Sequence, residues 1–210
     1  MNIIILGAPA SGKGTQATLL AEKIGLYLLQ TGELSRNLAK KDKRIREIVN
    51  SGKLIPEEEM TMYVLDFLHK EKPDLKNILF EGFPRFISQY DALEKFLMSK
   101  GDDIDLVISI DISEEEAVKR ISSRRVCEKC GKIYNLITNP PPKADCECGG
   151  NLIQRKDDNP ESVMTRFKYY EENTKELIDY LDKKGKLVRI DGERPIDEIQ
   201  KDLIRILKRN

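Results

Sequence analysis

The chain alternates between short apolar runs and longer stretches in which apolar residues recur at helical spacing. Asn2–Leu6 (N-I-I-I-L) is a continuous β-branched run, the pattern of a strand covered on both faces of a parallel sheet. Similar runs predict strands over Leu26–Leu29, Asn77–Glu81, Asp105–Asp111 and Lys186–Ile190. Helices are predicted between them. The first covers Lys13–Ile24, with Leu19, Leu20 and Ile24 at helical spacing. Thr31 is the expected N-cap of a helix through Lys40, and Asp42 that of a helix through Asn50, which Gly52 stops. Pro56 takes the first position of a helix to about Lys70, with Glu57, Glu58 and Glu59 in its first turn. Another helix covers Ile87–Met98, and Ser113 with Glu116 forms a capping box for one to about Ser123. Asn159-Pro160 starts a long helix to about Lys183, and Pro195 opens the last one. This order predicts an α/β fold: a parallel sheet of about five strands flanked by helices.

Residues 124–158 break the pattern. They hold all four cysteines and the run Pro140-Pro141-Pro142, show little helical periodicity, and read as a small inserted module. Cys127-x-x-Cys130 is followed by Cys146-x-Cys148-Gly149-Gly150. A tight cluster of this kind in a reducing compartment points to metal rather than to disulfides. Zinc takes four soft ligands in a tetrahedron, and a two-residue gap lets both thiolates of one turn face one ion. The second pair is one residue shorter than the usual spacing. Four protein ligands leave no open position, so the expected role is structural Zn²⁺.

Composition narrows the function. The 210 residues suffice for one full core with small insertions, not for two large domains. At 40% hydrophobic the chain can fold. Lys+Arg and Asp+Glu both number 36, so a general electrostatic grip on nucleic acid or an anionic membrane is not indicated. No segment approaches the ~18 apolar residues of a membrane span. Ile3–Leu6 has no basic residue before it and leads into a glycine turn, so it does not read as a signal peptide, and the cytosol is the expected location. His69, the single histidine, sits in a polar helix end and reads as solvated, so no Ser-His-Asp or Cys-His arrangement competes.

Between the first strand and the first helix lies Gly7-Ala8-Pro9-Ala10-Ser11-Gly12-Lys13-Gly14-Thr15. It matches the phosphate-loop pattern G-x-x-x-x-G-K. Glycines let successive N–H groups turn inward onto phosphate oxygens, and the following helix start adds partial positive charge. Lys13 reaches the outer phosphates, and the Thr15 hydroxyl is available to Mg²⁺ or a phosphate. Gly14 occupies the usual Ser/Thr place, so the hydroxyl falls one residue late. That argues against a GTPase or motor ATPase and for a small kinase.

Five ordered motifs carry a family resemblance: G-A-P-A-S-G-K-G-T at Gly7–Thr15, T-G-E at Thr31–Glu33, E-G-F-P-R at Glu81–Arg85, S-R-R-V at Ser123–Val126 and R-K-D-D at Arg155–Asp158. Across essentially its whole length the chain resembles the adenylate kinases of the long type, with a zinc-bearing lid. The resemblance implies a P-loop nucleoside monophosphate kinase-like core (1–29, 56–122 and 159–210), a helical AMP-binding flap (30–55) and a lid (123–158). The implied reaction is ATP + AMP ⇌ 2 ADP with Mg²⁺, by a cytosolic monomer whose partners are nucleotides, with no nucleic acid and no membrane. Phosphoryl transfer needs positive charge, alignment and dryness more than covalent chemistry. The chain supplies Lys13, Arg36, Arg85, Arg120, Arg124, Arg155 and Arg166 near these motifs, and arginine's planar fork suits phosphate.

By position, the resemblance assigns the ATP phosphates to Ala10, Ser11, Gly12, Lys13, Gly14 and Thr15, and to Arg124. Arg120 packs on the adenine, and Ile133, Tyr134 and the backbone near Arg194 complete the ATP contacts. Thr31, Arg36, Lys53, Leu54, Ile55, Gly82, Phe83, Pro84, Arg85 and Gln89 match the AMP site, with the Gln89 amide reading the adenine edge. Arg155 and Arg166 hold the AMP phosphate and the transferring group, oriented by Asp157 and Asp158. Glu81 stands where the family usually has Asp, near the Mg²⁺ water shell, and the flap is shorter than in many relatives. The last zinc ligand precedes Gly-Gly in the family, which fits Cys148. Its partner normally falls at Asp145, so Cys146 is the expected ligand and Asp145 the fallback. Two other readings compete: a pyrimidine (UMP/CMP) kinase, which generally carries a short lid, and a zinc-ribbon nucleic-acid-binding protein, against which zero net charge and the embedding of the ribbon in an α/β core both count.

Overall fold

The computed structural model describes residues 1–155 and 157–208. Its main sheet has five parallel strands: β1 (Ile3–Gly7), β2 (Tyr27–Gln30), β3 (Ile78–Glu81), β4 (Leu106–Asp111) and, late in the chain, β8 (Leu187–Asp191), in the order β2-β3-β1-β4-β8. Both faces of β1 are covered. Ile4 and Leu6 enter one buried cluster with Phe80, Tyr90, Leu93 and Leu177, while Ile3 and Ile5 enter another with Leu20, Ile108, Ile199 and Leu203, as alternation along a strand requires. The chain runs to one side of β1 and then to the other. That reversal opens a crevice at the carboxyl end of β1, the place where open α/β sheets bind ligands.

The helices are α1 (Lys13–Ile24), α2 (Thr31–Lys41), α3 (Lys43–Asn50), α4 (Glu57–Glu71), α5 (Ile87–Met98), α6 (Glu114–Ser122), α7 (Pro160–Tyr169), α8 (Lys175–Lys183) and α9 (Ile196–Leu207). A separate antiparallel sheet in the order β6-β5-β7 is built from β5 (Arg124–Cys127), β6 (Ile133–Asn135) and β7 (Leu152–Ile153). It forms the inserted module. Among the described residues, no helix is long and apolar enough to cross a membrane.

Several local expectations are corrected. Asn2 lies outside β1. It is buried, donates to the Leu75 carbonyl (2.9 Å) and accepts from the Ile78 N–H (3.1 Å), tying the strand starts together. Leu19 and Ile24 lie on the solvent side of α1, 37% and 38% exposed, and the helix packs instead through Gln16, Ala17, Leu20 and Ala21, where small residues let it approach the sheet. Thr31 begins α2 rather than capping it, because its hydroxyl is turned to the Glu81 carbonyl (3.3 Å). Pro56 and Pro195 are N-caps, not first helical residues. Ser113 caps α6 as expected, but the reciprocal half of the capping box is filled by Glu193, which accepts from the Ser113 N–H (2.8 Å); Glu116 is drawn to Arg120 instead. The long helix after Pro160 is interrupted by a π-helical turn at Tyr170–Thr174.

Candidate functional site

The glycine loop between β1 and α1 has the geometry of an anion cradle. At Gly7 (φ +147°) a Cβ would lie 2.5 Å from the Ile110 carbonyl oxygen and 2.7 Å from Ser11 Oγ, so only glycine passes. Ala10 and Gly12 also have positive φ, +61° and +90°, which curls the loop. Gly12 caps α1 without a side-chain bond, so the first N–H groups of the helix are left to a ligand. Ser11 Oγ is buried without a partner; among the described residues only Gln200 Oε1 shares that condition. Lys13 folds back over the loop, its Nζ donating to the Ala8 carbonyl (3.0 Å). Gly14 and Thr15 follow in the first turn, half-buried.

Cations converge on this cradle from three other elements. Burial pushes the Lys13 ammonium down to about 8; the Glu81 carboxylate opposes this, and Arg85, Arg166 and Arg124 add to it. Arg85, just past β3, is likewise lowered by burial, with Glu81 opposing and Arg166 reinforcing. Its Nε donates to the Gly82 carbonyl (2.8 Å). Burial also pushes Arg155 down to about 10, with Arg124 and Arg36 contributing and Asp157 and Asp158 opposing. A cavity of about 60 Å³ lies between Gly7, Lys13, Arg85, Arg166, Tyr170 and Thr174. Cations crowded at a dry site in this way are set to receive negative charge.

Two carboxylates aim the arginines. Asp158, whose side chain is fully buried, takes both Nε (2.8 Å) and a terminal nitrogen of Arg124, and also Arg166 (3.0 Å). Asp157 reaches Arg166 through its carboxylate (3.3 Å) and its carbonyl (3.0 Å). Burial pushes the Asp158 carboxyl up, but Arg124 and Arg166 more than reverse this and hold it below the usual range. Of the two arginines expected to be oriented by these aspartates, Arg166 is paired with both, while the second arginine that Asp158 holds is Arg124 rather than the expected Arg155.

Of the residues expected at the AMP site, Thr31, Gly82, Arg85 and Gln89 are brought together at the end of β3. Gly82 (φ +80°) packs so closely on Thr31 that a Cβ would sit 2.7 Å from its Oγ1. Phe83, Pro84 and Ile55 are buried, Leu54 half-buried, and Lys53 and Arg36 exposed. Gln89 is buried with both amide ends engaged: Oε1 accepts from the Arg85 N–H (2.9 Å) and Nε2 donates to the Glu57 carbonyl (3.1 Å). Of the residues expected around ATP, Arg120 is pinned between Glu116 (2.7 Å) and the Gly192 carbonyl (2.9 Å), and Arg194 pairs with Asp202 (2.8 Å). Ile133 is half-buried in β6. The Tyr134 side chain is turned the other way, 2% exposed, with its hydroxyl 3.4 Å from Cys146 Sγ. The side chain thereby packs into the cysteine module. The sequence reading missed Tyr170 and Thr174. They lie four and eight residues beyond Arg166, on the face that i, i+4, i+8 spacing defines in a helix, but no motif marks them.

The cysteine module fits zinc. The sulfurs of Cys127, Cys130, Cys146 and Cys148 all lie within 4.8 Å of one another, and three pairs are 3.5–3.6 Å apart. Zinc–sulfur bonds of about 2.3 Å give a tetrahedron with edges of about 3.8 Å. Asp145 is exposed and outside the group, so Cys146 takes the place left open between them. The short second knuckle works because the chain turns back at once: the Gly149 N–H donates to the Cys146 carbonyl (2.7 Å) and the Cys146 N–H to that of Gly150 (3.0 Å). A Cβ at Gly150 would sit 2.6 Å from Cys127 Sγ.

A strand–glycine loop–helix element closed by a lysine, ringed by arginines and set at the reversal of a parallel sheet, defines a P-loop phosphotransferase. The chain belongs to the adenylate kinase family: the family model described as Adenylate kinase matches residues 5–186. It is 43% identical to an adenylate kinase of Thermosipho africanus, with all of both chains covered. It is 41% identical to that of Archaeoglobus fulgidus, over 100% of this chain and 99% of the relative. It is 39% identical to one of Staphylococcus epidermidis, over 99% of each. These matches favour neither the pyrimidine-kinase nor the nucleic-acid reading.

Proposed function

We propose that the protein catalyses ATP + AMP ⇌ 2 ADP as a cytosolic monomer, with residues 30–55 as the AMP flap and 123–158 as the lid. The observation that carries this reading is the convergence of Lys13, Arg85, Arg124 and Arg166 on one glycine-loop cradle. Loop N–H groups, Ser11 and Lys13 hold the donor phosphates. Arg124, Arg155 and Arg166 hold the transferring group, and Arg85 with Arg36 the acceptor phosphate. Arg120 offers its planar guanidinium to the donor base. Thr31, Leu54, Ile55, Gly82, Phe83 and Pro84 wall the acceptor pocket. Gln89 reads the acceptor adenine once AMP displaces its bonds to Arg85 and Glu57. Mg²⁺ bound with ATP supplies charge neutralisation between the phosphates, with Thr15 and Glu81 as the residues that face its water shell. Cys127, Cys130, Cys146 and Cys148 would hold a structural zinc, which would pin together the small sheet of residues 123–158.

The test is a coupled assay of ADP formation from Mg·ATP with AMP, CMP, UMP and GMP as separate acceptors. Strong turnover with AMP alone is expected. Turnover with CMP or UMP would keep the phosphoryl-transfer site and overturn the adenine-reading role of Gln89.

A further inference from the structure

The helix that carries Arg120 has little apolar anchorage. Along its nine residues α6 buries only Ala117 and Ile121, so packing alone leaves its setting loosely defined. Two polar contacts tie it to the loop after β8. At its start, one carboxylate oxygen of Glu193 accepts from both the Ser113 N–H (2.8 Å) and the Ser113 hydroxyl (2.7 Å). Near its other end, the Arg120 guanidinium donates to the Gly192 carbonyl (2.9 Å). The loop is itself held at that point. The Gly192 N–H donates to the Asp111 carbonyl (2.8 Å), and a Cβ at Gly192 would lie 2.6 Å from Ile110 Cγ2.

Glu193 also decides what Glu116 does. Serine at an N-cap with glutamate three residues on is the pattern of a capping box, in which the glutamate side chain returns to the N-cap N–H. Here that N–H is taken by Glu193, while the Ser113 hydroxyl oxygen still accepts from the Glu116 N–H (3.3 Å). The Glu116 carboxylate is left to reach forward one turn and accept from Arg120 Nε (2.7 Å). Glu116 and Gly192 then grip the guanidinium along its edge. Hydrogen bonds donated by a guanidinium run in its plane, so neither contact uses the face on which a purine ring would stack. Ser113, with the Arg120 charge contributing, holds the Glu193 carboxyl below its ordinary value.

We propose that Glu193 is a positioning residue for the donor nucleotide: by occupying the Ser113 N–H it releases Glu116 to hold Arg120 in place for the donor base. This rests on the donor-base role proposed above for Arg120. It has a distinctive consequence. Without Glu193, Glu116 closes the capping box on Ser113, so the helix keeps its cap while Arg120 loses a partner. Donor affinity falls because Arg120 must then be ordered on binding. A residue that served folding alone would do the opposite, lowering stability and leaving nucleotide affinity as it was.

The experiment measures Kd for ATP and for AMP by calorimetry, with kcat and Tm, in the parent protein, Glu193→Ala, Glu193→Gln, Arg120→Ala and the double variant Glu193→Ala with Arg120→Ala. Glu193 is exposed, so its replacement leaves the core untouched. Glu193→Ala is expected to weaken ATP binding about three- to tenfold, with Kd for AMP and kcat changed less than about twofold and Tm nearly unchanged. Glu193→Gln keeps an oxygen for the Ser113 N–H and is expected to bind ATP within about twofold of the parent. In the Arg120→Ala background, Glu193→Ala is expected to add less than about twofold, because both changes remove one contribution. Parent-like ATP binding by Glu193→Ala, a loss that multiplies fully with that of Arg120→Ala, or an equal loss for AMP would overturn the proposal. So would a Glu193→Gln variant as impaired as Glu193→Ala, which would assign the effect to charge rather than to the bond with Ser113. Parent-like ATP binding by Arg120→Ala would remove the donor-base role of Arg120 and the proposal with it. A parent protein that does not bind ATP would overturn the nucleotide reading itself.

Discussion

Lys13 is a cation held where folding alone gives it little to bind. Burial lowers it to about 8 from the ordinary 10.5, with Glu81 opposing and three arginines reinforcing. The folded value lies below the unfolded one, so folding carries a cost that is full below pH about 8 and fades as pH rises toward 10.5. Donor phosphates relieve it by supplying negative charge. ATP binding at pH 8 is therefore expected to take up a fraction of a proton, and at pH 6 none through Lys13. Calorimetry in two buffers of different ionisation enthalpy reads this uptake directly. Identical heats at pH 8, or an uptake that survives Lys13→Met, would contradict it. Lys13 and Arg85 were legible in the sequence because their motifs fix position and chemistry together. The two bonds of Gln89 to Arg85 and Glu57 were not legible, because they depend on where α4 comes to rest against α5. The packing of the Tyr134 side chain against Cys146 was not legible, because a motif does not say which face of β6 a residue takes.

The elements were read well where a local rule suffices. The glycine loop, the Asp42 and Ser113 caps and the helix over Ile87–Met98 all appear in the structure as expected. Rules that need a distant partner failed. Glu193 competes for the capping box from the loop after β8, and the π turn at Tyr170–Thr174 interrupts a helix whose local sequence predicts continuity. The cysteine module lies between these cases: its ligands were legible from spacing, but the compact return at Gly149-Gly150 that lets a one-residue gap work was not. The module's small sheet has a core of little more than Cys127, Tyr134, Cys146 and Leu152, so the proposed zinc would supply much of its stability. Cys127→Ser is expected to lower Tm by roughly 5–10 °C at about 2–4 °C per kcal/mol, while kcat at low temperature changes little. One zinc per chain in the parent protein and a clear deficit in the variant are the accompanying result. An unchanged Tm would contradict the structural role.

At the scale of the molecule, the crevice exists because the sheet reverses direction about β1, and that order was implied only in outline by the β-α alternation. Asp158 joins Arg124 of the inserted module to Arg166 of α7, so if residues 123–158 act as the proposed lid, their movement carries proposed phosphate-binding groups with it. Transfer to AMP rather than to water requires the site to close and dry before reaction, and to open for release. Opening is therefore expected to limit turnover, and rapid-quench experiments should show a burst of ADP; a linear start without burst would place the slow step at chemistry.

The most direct test follows the phosphorus atoms themselves. Phosphorus NMR of the enzyme with Mg·ATP and AMP is expected to show both nucleotides consumed together and two ADP formed for each ATP lost, with no inorganic phosphate. Lys13→Met and Arg85→Ala, still folded, are expected to leave the starting spectrum nearly unchanged. Release of inorganic phosphate with AMP untouched, or normal conversion by either variant, would contradict the account of this site.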